Sequence, residues 1–324
     1  MRRMRRLLFL ASILAGSTLA LAAATAPGVT QFFVVPEQVE ALKALGLTVS
    51  PLAADSLAGR DLLLVPGVAP RAGVASPTRS PWVNANGWRY RKTAGAAGKA
   101  AEAPKVAYDV PPGRAALAAA EAYAYGGDAV VKIDVTQKST PNDLPALGTM
   151  MTFLSKLPAS SLPDVADIGV IDDGSPLTGE VINLLSRRNL MFRVVKAPAS
   201  DLKVNIKLGT KEYPEADAAN PSAFALKVRR QLTDDERSLR IYGSEVVIGR
   251  FTADGSKARL HLLNYGGRPS DGLRIRLRGM WKESANNVSG ADSPVTLADF
   301  TAAEGWTEFT LPRLNTYAAI DLVK

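Results

Sequence analysis

The stretch Asp167–Gly174, DIGVIDDG, constrains this chain more than any other. Its apolar run, Ile168–Ile171, is too short for a helix and breaks at once into Asp-Asp-Gly, so it reads as a buried strand entering a turn. Ser175 is placed to cap a following helix, and Pro176 sits at the first helical position, where a missing N–H costs nothing. The helix then sets Val181, Leu184 and Leu185 on one side. FRVVKA (192–197) returns as a strand, and VNIKL (204–208) is a further strand candidate. Strand, turn, helix, strand implies parallel pairing with a right-handed crossover, which makes this part of the chain an α/β layer. Asn220-Pro221 opens one more helix, with Phe224, Val228 and Leu232 on its apolar side.

The same alternation runs upstream. FFVV (32–35) reads as a strand, Val39, Leu42 and Leu45 have helical spacing, and DLLLV (61–65) is a second short strand. Residues 93–104 carry no core pattern and read as a loop. RAALAAAEAYAY (114–125) is a helix stopped by Gly126-Gly127, AVVKID (129–134) a strand, and Leu144–Leu157 a helix with Leu147, Met150, Met151 and Leu154 on one side.

After about Asp235 the pattern changes to short strands at close spacing: LRIY, SEVVIGRF, ARLHLLNY, GLRIRLRG, SPVTLADF, WTEFTL and TYAAIDLV. In GLRIRLRG, Leu273, Ile275 and Leu277 alternate with Arg274, Arg276 and Arg278, the period of a half-buried antiparallel strand. About seven such strands predict a β-sandwich. The expected fold class is therefore α/β, an open or truncated-barrel sheet plus a second α/β unit, followed by a C-terminal antiparallel β-sandwich. The expected boundaries are 28–160, 161–234 and 235–324, after a leader at 1–24.

That leader has Arg2, Arg3, Arg5 and Arg6 ahead of an apolar run from Leu7 to Ala24, with small-residue cleavage candidates at Ala20–Ala22 and Ala22–Ala24. This is the grammar of a secretory signal peptide, with a weaker twin-arginine hint in Arg5-Arg6-Leu7-Leu8-Phe9. The expectation is export to the periplasm or outside the cell, with no membrane span after cleavage. The chain has 39 basic and 31 acidic residues, and losing the leader removes four Arg and no acid, leaving 35 against 31. The basic excess is therefore largely a property of the leader, and nucleic acid is not an expected partner. The chain has no Cys, which rules out a lipoprotein anchor and disulfides and leaves the fold to its core.

Candidate site residues fall in two groups. SPWVNANGWRYRK (80–92) holds Trp82, Asn84, Asn86, Trp88 and Tyr90 on one face if it is a single strand, three rings to cover sugar faces and two amides to bond hydroxyls. Asn86-Gly87 is also a strong hairpin signal, and a hairpin turns Trp82 away from Trp88, so both readings stay open. Asp134 ends one strand and Asp172-Asp173 end another, and ligands of open α/β sheets collect beyond the carboxyl ends of strands. Two carboxylates roughly 5–9 Å apart can cleave a glycosidic bond. Asp before Gly-Ser-Pro equally makes turns and caps helices. His261 is the only His and lies mid-strand, so neither a Ser-His-Asp triad nor a zinc site is expected, and no cofactor or metal is called for. Arg274, Arg276 and Arg278 can attract an acidic polysaccharide or serve as a charged outer strand face.

DIGVIDDGSPLTGEVINLLSRRN resembles the opening of the amidotransferase-like middle domain of multidomain glycoside hydrolases of the β-galactosidase type. LHLLNYGGRPSDGLRIRLRG with WTEFTLPRLNTYAAIDL resembles their small terminal sandwich, so the likeness covers about half of the chain. The chain as a whole looks like a group of exported bacterial proteins to which no activity is tied. About 135 residues between the leader and the middle unit are too few for an eight-fold barrel of roughly 200–250 residues, and no glutamate follows a clear strand there. The resemblance thus implies a glycan-binding or glycan-processing protein, with binding favoured over hydrolysis. A structural or protein-interaction role is the competing class.

Overall fold

The computed structural model describes residues 32–34, 39–44, 50–51, 63–65, 105–109, 113–125, 128–132, 143–173 and 175–324. Within them a first, all-parallel sheet has β1 (Phe32–Val34), β2 (Ser50–Pro51), β3 (Leu63–Val65), β4 (Lys105–Asp109) and β5 (Asp128–Lys132) in the order β2-β1-β5-β4-β3. Helices α1 (Val39–Ala44), α2 (Ala115–Tyr125) and α3 (Asp143–Lys156) accompany it. A second parallel sheet, order β7-β6-β8, joins β6 (Ile168–Ile171), β7 (Phe192–Val195) and β8 (Val204–Ile206), with helices α4 (Pro176–Arg187), α5 (Glu215–Ala218) and α6 (Pro221–Leu232). The parallel pairings expected for residues 167–208 are thus the observed ones. Among the described residues no helix is long and apolar enough to cross a membrane.

The local chemistry of α4 is the one its sequence announces. Ser175 is the N-cap in an extended conformation, its Oγ accepts the Thr178 N–H at 3.1 Å, and Pro176 follows. The helix ends on Asn189 in the left-handed region (φ 53), a position that short polar residues and glycine tolerate. The Leu190 N–H closes the helix on the Leu185 carbonyl at 3.1 Å.

The last third of the chain is two antiparallel sheets packed face to face. One joins β10 (Val247–Ala253), β11 (Lys257–Asn264), β16 (Tyr317–Val323) and β13 (Lys282–Val288) in that order. The other joins β14 (Ala298–Ala303), β15 (Trp306–Leu314), β12 (Ser270–Arg278) and β9 (Leu239–Tyr242). In β12 the alternation holds: Leu273, Ile275 and Leu277 are fully buried between the sheets and the arginines point out. Each such side chain contributes roughly 1.5–3 kcal/mol on burial. The region has eight strands where about seven were expected. The additional one is β13, KESANNV, whose polar face looks outward from a sheet edge and so hides its period.

Strands β10, β11 and β16 of this sheet are buried on both faces. Ala258, Leu260 and Leu262 of β11 and Ala318, Ile320 and Leu322 of β16 pack into the sandwich. The alternate positions Leu263, Tyr317 and Ala319 join the core of the α/β part instead. Helix α2 fits against this second face because it is built of alanine: Ala118, Ala119, Ala120 and Ala124 are fully buried and let the backbones approach. Polar side chains fix the register. Arg259 is bidentate on Asp321 at 2.5 and 2.8 Å and also donates to the Pro158 carbonyl at 2.7 Å. Tyr265 donates to Glu121 at 2.7 Å, and Arg250 reaches Asp164 at 2.7 Å and the Ala124 carbonyl. The Tyr317 hydroxyl meets His261 Nδ1 at 2.7 Å, and its burial pushes the phenol well above its ordinary pKa.

A buried guanidinium stripped of its carboxylate is costly, typically about 3–5 kcal/mol. Asp321→Ala is therefore expected to lower stability by roughly that amount in urea unfolding. A loss below about 1 kcal/mol, the surface-pair range, would show that Arg259 does not hold this seam.

Candidate functional site

The carboxyl end of β6 shows what Asp172 and Asp173 do in the folded chain. Asp173 is exposed and its Oδ1 accepts the Ser175 N–H at 2.9 Å, closing the turn that delivers Ser175 to the start of α4. That hydrogen bond, above all, holds its carboxyl below the usual carboxylate range. Asp172 is half-buried, and its backbone N–H donates to the Val195 carbonyl at 3.3 Å. Asp134 lies outside the described residues, as do Trp82, Asn84, Asn86, Trp88 and Tyr90. Strands β5 and β6 belong to different sheets.

A site of another kind lies between the second α/β unit and the edge strand β9 of the sandwich. Here a cleft of about 460 Å³ opens, a volume within the usual range for ligand sites. Its walls come from the C-terminal end of α4, from the outer side of α6, and from the segment running into β9. The join is fixed by Asn189, whose left-handed backbone turns its side chain onto the sandwich. Its amide donates to the Val247 carbonyl at 3.0 Å and accepts the Gly249 N–H at 2.8 Å. Asp167, at the foot of β6, accepts the Ser238 N–H at 2.8 Å and its hydroxyl at 2.6 Å. Burial pushes the Asp167 carboxyl up, and those two hydrogen bonds hold it partly down.

Five arginines line the cleft: Arg187, Arg188, Arg229, Arg237 and Arg240. Those at the ends of α4 and α6 suit a helix C-terminus, where cations meet the negative end of the dipole. Arg237 and Arg240 have no such reason, and their side chains are only 9% and 8% exposed. Asp234 answers two of the five: Arg229 grips it at 2.9 and 2.7 Å, and Arg237 stands at 3.5 Å. The Arg229 hydrogen bonds, chiefly, hold the Asp234 carboxyl down at about 2. Arg237 is also pulled below its ordinary value, by burial and then by repulsion from Arg229. Arg240 pairs with Asp235 at 3.1 Å and donates to the Tyr242 hydroxyl at 3.1 Å. Tyr242 itself is 44% exposed at the cleft wall.

Sequence reasoning missed this cleft. Its residues come from three segments between 187 and 245, none with a motif. The only linear traces are the paired arginines Arg187-Arg188, across the end of α4, and Arg229-Arg230, in the last turn of α6.

No protein-family model matches the chain, and no curated protein matches its sequence. Its fold does match solved structures. Alpha-L-fucosidase isoenzyme 2 from Paenibacillus thiaminolyticus aligns with a TM-score of 0.51 at 8% identity, over 68% of this chain and 60% of that one. A catalytic mutant of Gan42B, a GH42 beta-galactosidase from G. stearothermophilus, aligns at 0.48 and 8% identity over 92% and 64%. The beta-galactosidase from Rahnella sp. R3 aligns at 0.46 and 9% identity over 87% and 61%. The chain therefore spans less than two thirds of the length of these relatives. At such identities the likeness is one of fold: an α/β part with a sandwich, as in glycoside hydrolases.

Asp234 supplies a pH test. A carboxylate whose folded pKa is depressed stabilises the fold above its ordinary 3.8 and loses that contribution as the pH falls through about 2. An NMR titration is expected to place the Asp234 midpoint near 2, and Arg229→Gln to move it up toward 3.8. An unmoved midpoint in that variant would remove Arg229 as the cause.

Proposed function

We propose that this chain is an exported protein, related to glycoside hydrolases, that binds a glycan at the cleft between α6 and β9 without hydrolysing it. The observation that carries the reading is the cleft: about 460 Å³, walled by guanidiniums, Ser222, Ser244 and the exposed ring of Tyr242. Donors that satisfy hydroxyls beside an aromatic face are what a saccharide needs. The fold shared with a fucosidase supports the glycan class. The basic-apolar leader supports export to the periplasm or beyond. Under this reading residues 28–160 are a reduced barrel-derived unit, 161–234 an amidotransferase-like unit and 235–324 the terminal sandwich. Trp82, Asn84, Asn86, Trp88 and Tyr90 are then a second sugar-contact stretch, and Asp134 the carboxylate to test for turnover. Asp173 is engaged in its turn, which favours binding over catalysis.

The test is calorimetric titration of the exported protein with a panel of oligosaccharides, run alongside a reducing-end assay. Saturable binding is expected with no reducing ends released, and Tyr242→Ala is expected to weaken it roughly tenfold through the loss of one ring contact. Release of reducing ends that Asp134→Asn abolishes would replace binding by hydrolysis. A flat response across the panel from folded protein would favour a structural or partner-docking role.

A further inference from the structure

We infer that the cleft takes the carboxylate groups of an acidic saccharide, a uronate-bearing chain, and this rests on the glycan-binding reading above. The charge balance is the first observation. Five guanidiniums line the cleft, and the carboxylates facing them are Glu245 in its wall and Asp234 and Asp235 at its edge. The second observation is burial. The Nε atoms of Arg237 and Arg240 are fully buried and have no hydrogen-bond partner. Buried donors in native proteins nearly always find an acceptor, so these two guanidiniums are held short of their full set of partners at the cleft wall. Asp234 is shared between Arg229 and Arg237, so neither guanidinium has a carboxylate to itself.

The third observation is continuity. The Arg240 guanidinium lies over the ring of Trp306 at 5.4 Å, and Arg276 and Arg278 lie over the same ring at 4.2 and 6.0 Å. Arg240 and Arg276 stand directly opposite each other in the pairing of β9 with β12, a like-charge pair that is unfavourable when left unanswered. Glu308 answers Arg276, at 3.0 Å, and is shared with Arg274. A cationic track with one flat ring therefore leads out of the cleft over the outer face of the sandwich. A single small anion uses only one end of it. A polymer with a carboxylate on each sugar meets successive guanidiniums, and charge-assisted hydrogen bonds to such groups are strong. A neutral saccharide gains nothing from the excess of guanidiniums over carboxylates at the cleft.

The experiment compares an oligogalacturonate with its fully methyl-esterified form by calorimetry on the exported protein. The acid is expected to bind at least tenfold more tightly than the ester, and to weaken as salt rises. Arg188→Gln with Arg229→Gln, both exposed, is expected to weaken the acid at least tenfold, with circular dichroism unchanged. Lys257→Gln, on the other sheet of the sandwich, is expected to leave it unchanged. Asp234→Asn relieves Arg229 and Arg237 of their shared carboxylate and is expected to tighten the acid severalfold, a gain that misfolding cannot imitate. Equal binding of acid and ester would overturn the acidic assignment and leave the glycan reading standing. Binding of neither, nor of any glycan in the panel, would remove both. Displacement of the oligogalacturonate by equimolar inorganic phosphate would reduce the cleft to a simple anion site. Full affinity in the arginine double variant would move the site elsewhere.

Discussion

The structure depends on three neighbouring strands of one sheet that have no solvent face. Strands β10, β11 and β16 give one set of alternate residues to the sandwich and the other set to the α/β part. The apolar alternation decides which face each residue takes. Polar side chains on the second face add partners that one register satisfies. Arg259 with Asp321, Tyr265 with Glu121 and Arg250 with Asp164 each reach a defined partner across or along the seam. Removing one member leaves a buried group without its complement, which costs more than the pair contributes over a well-packed apolar substitute.

The cleft is a consequence of that seam. Once β10 and β11 are held against α2, the edge strand β9 comes to lie beside the ends of α4 and α6. Asn189 and Asp167 then close the join from the α/β side. Arginines that would be ordinary helix-end cations become walls of a cavity because the sandwich stands opposite them. Two further arginines, Arg237 and Arg240, enter from the sandwich side and are mostly buried at its wall. The result is a concentration of guanidiniums that no single element carries.

This explains which parts of the molecule were legible in the sequence. Elements with one period and one environment were plain: the alternation of β12, the Ser175-Pro176 start of α4, the parallel run through β6 and β7. Strand β13 was hidden, because KESANNV at a sheet edge exposes its first four residues, buries the polar Asn286 and shows no apolar period. The two-sided burial of β11 was hidden too, since the cover over Arg259 and His261 comes from α2, a segment far away in the chain. For Asp173 the turn role among its two sequence readings is the one with a hydrogen bond to show. Trp82, Trp88 and Asp134 lie outside the described residues. The cleft was not legible at all, because proximity of residues 187, 229 and 240 is a property of the seam rather than of any segment.

The most direct measurement of the central claim is native-state hydrogen exchange at the amides of α2 and β11, on opposite sides of that seam. If the sheet and the helix are one cooperative layer, both sets of amides open with the same free energy, that of global unfolding, and Asp321→Ala lowers both together. Exchange in α2 through an opening much easier than that of β11, and indifferent to Asp321, would contradict the account.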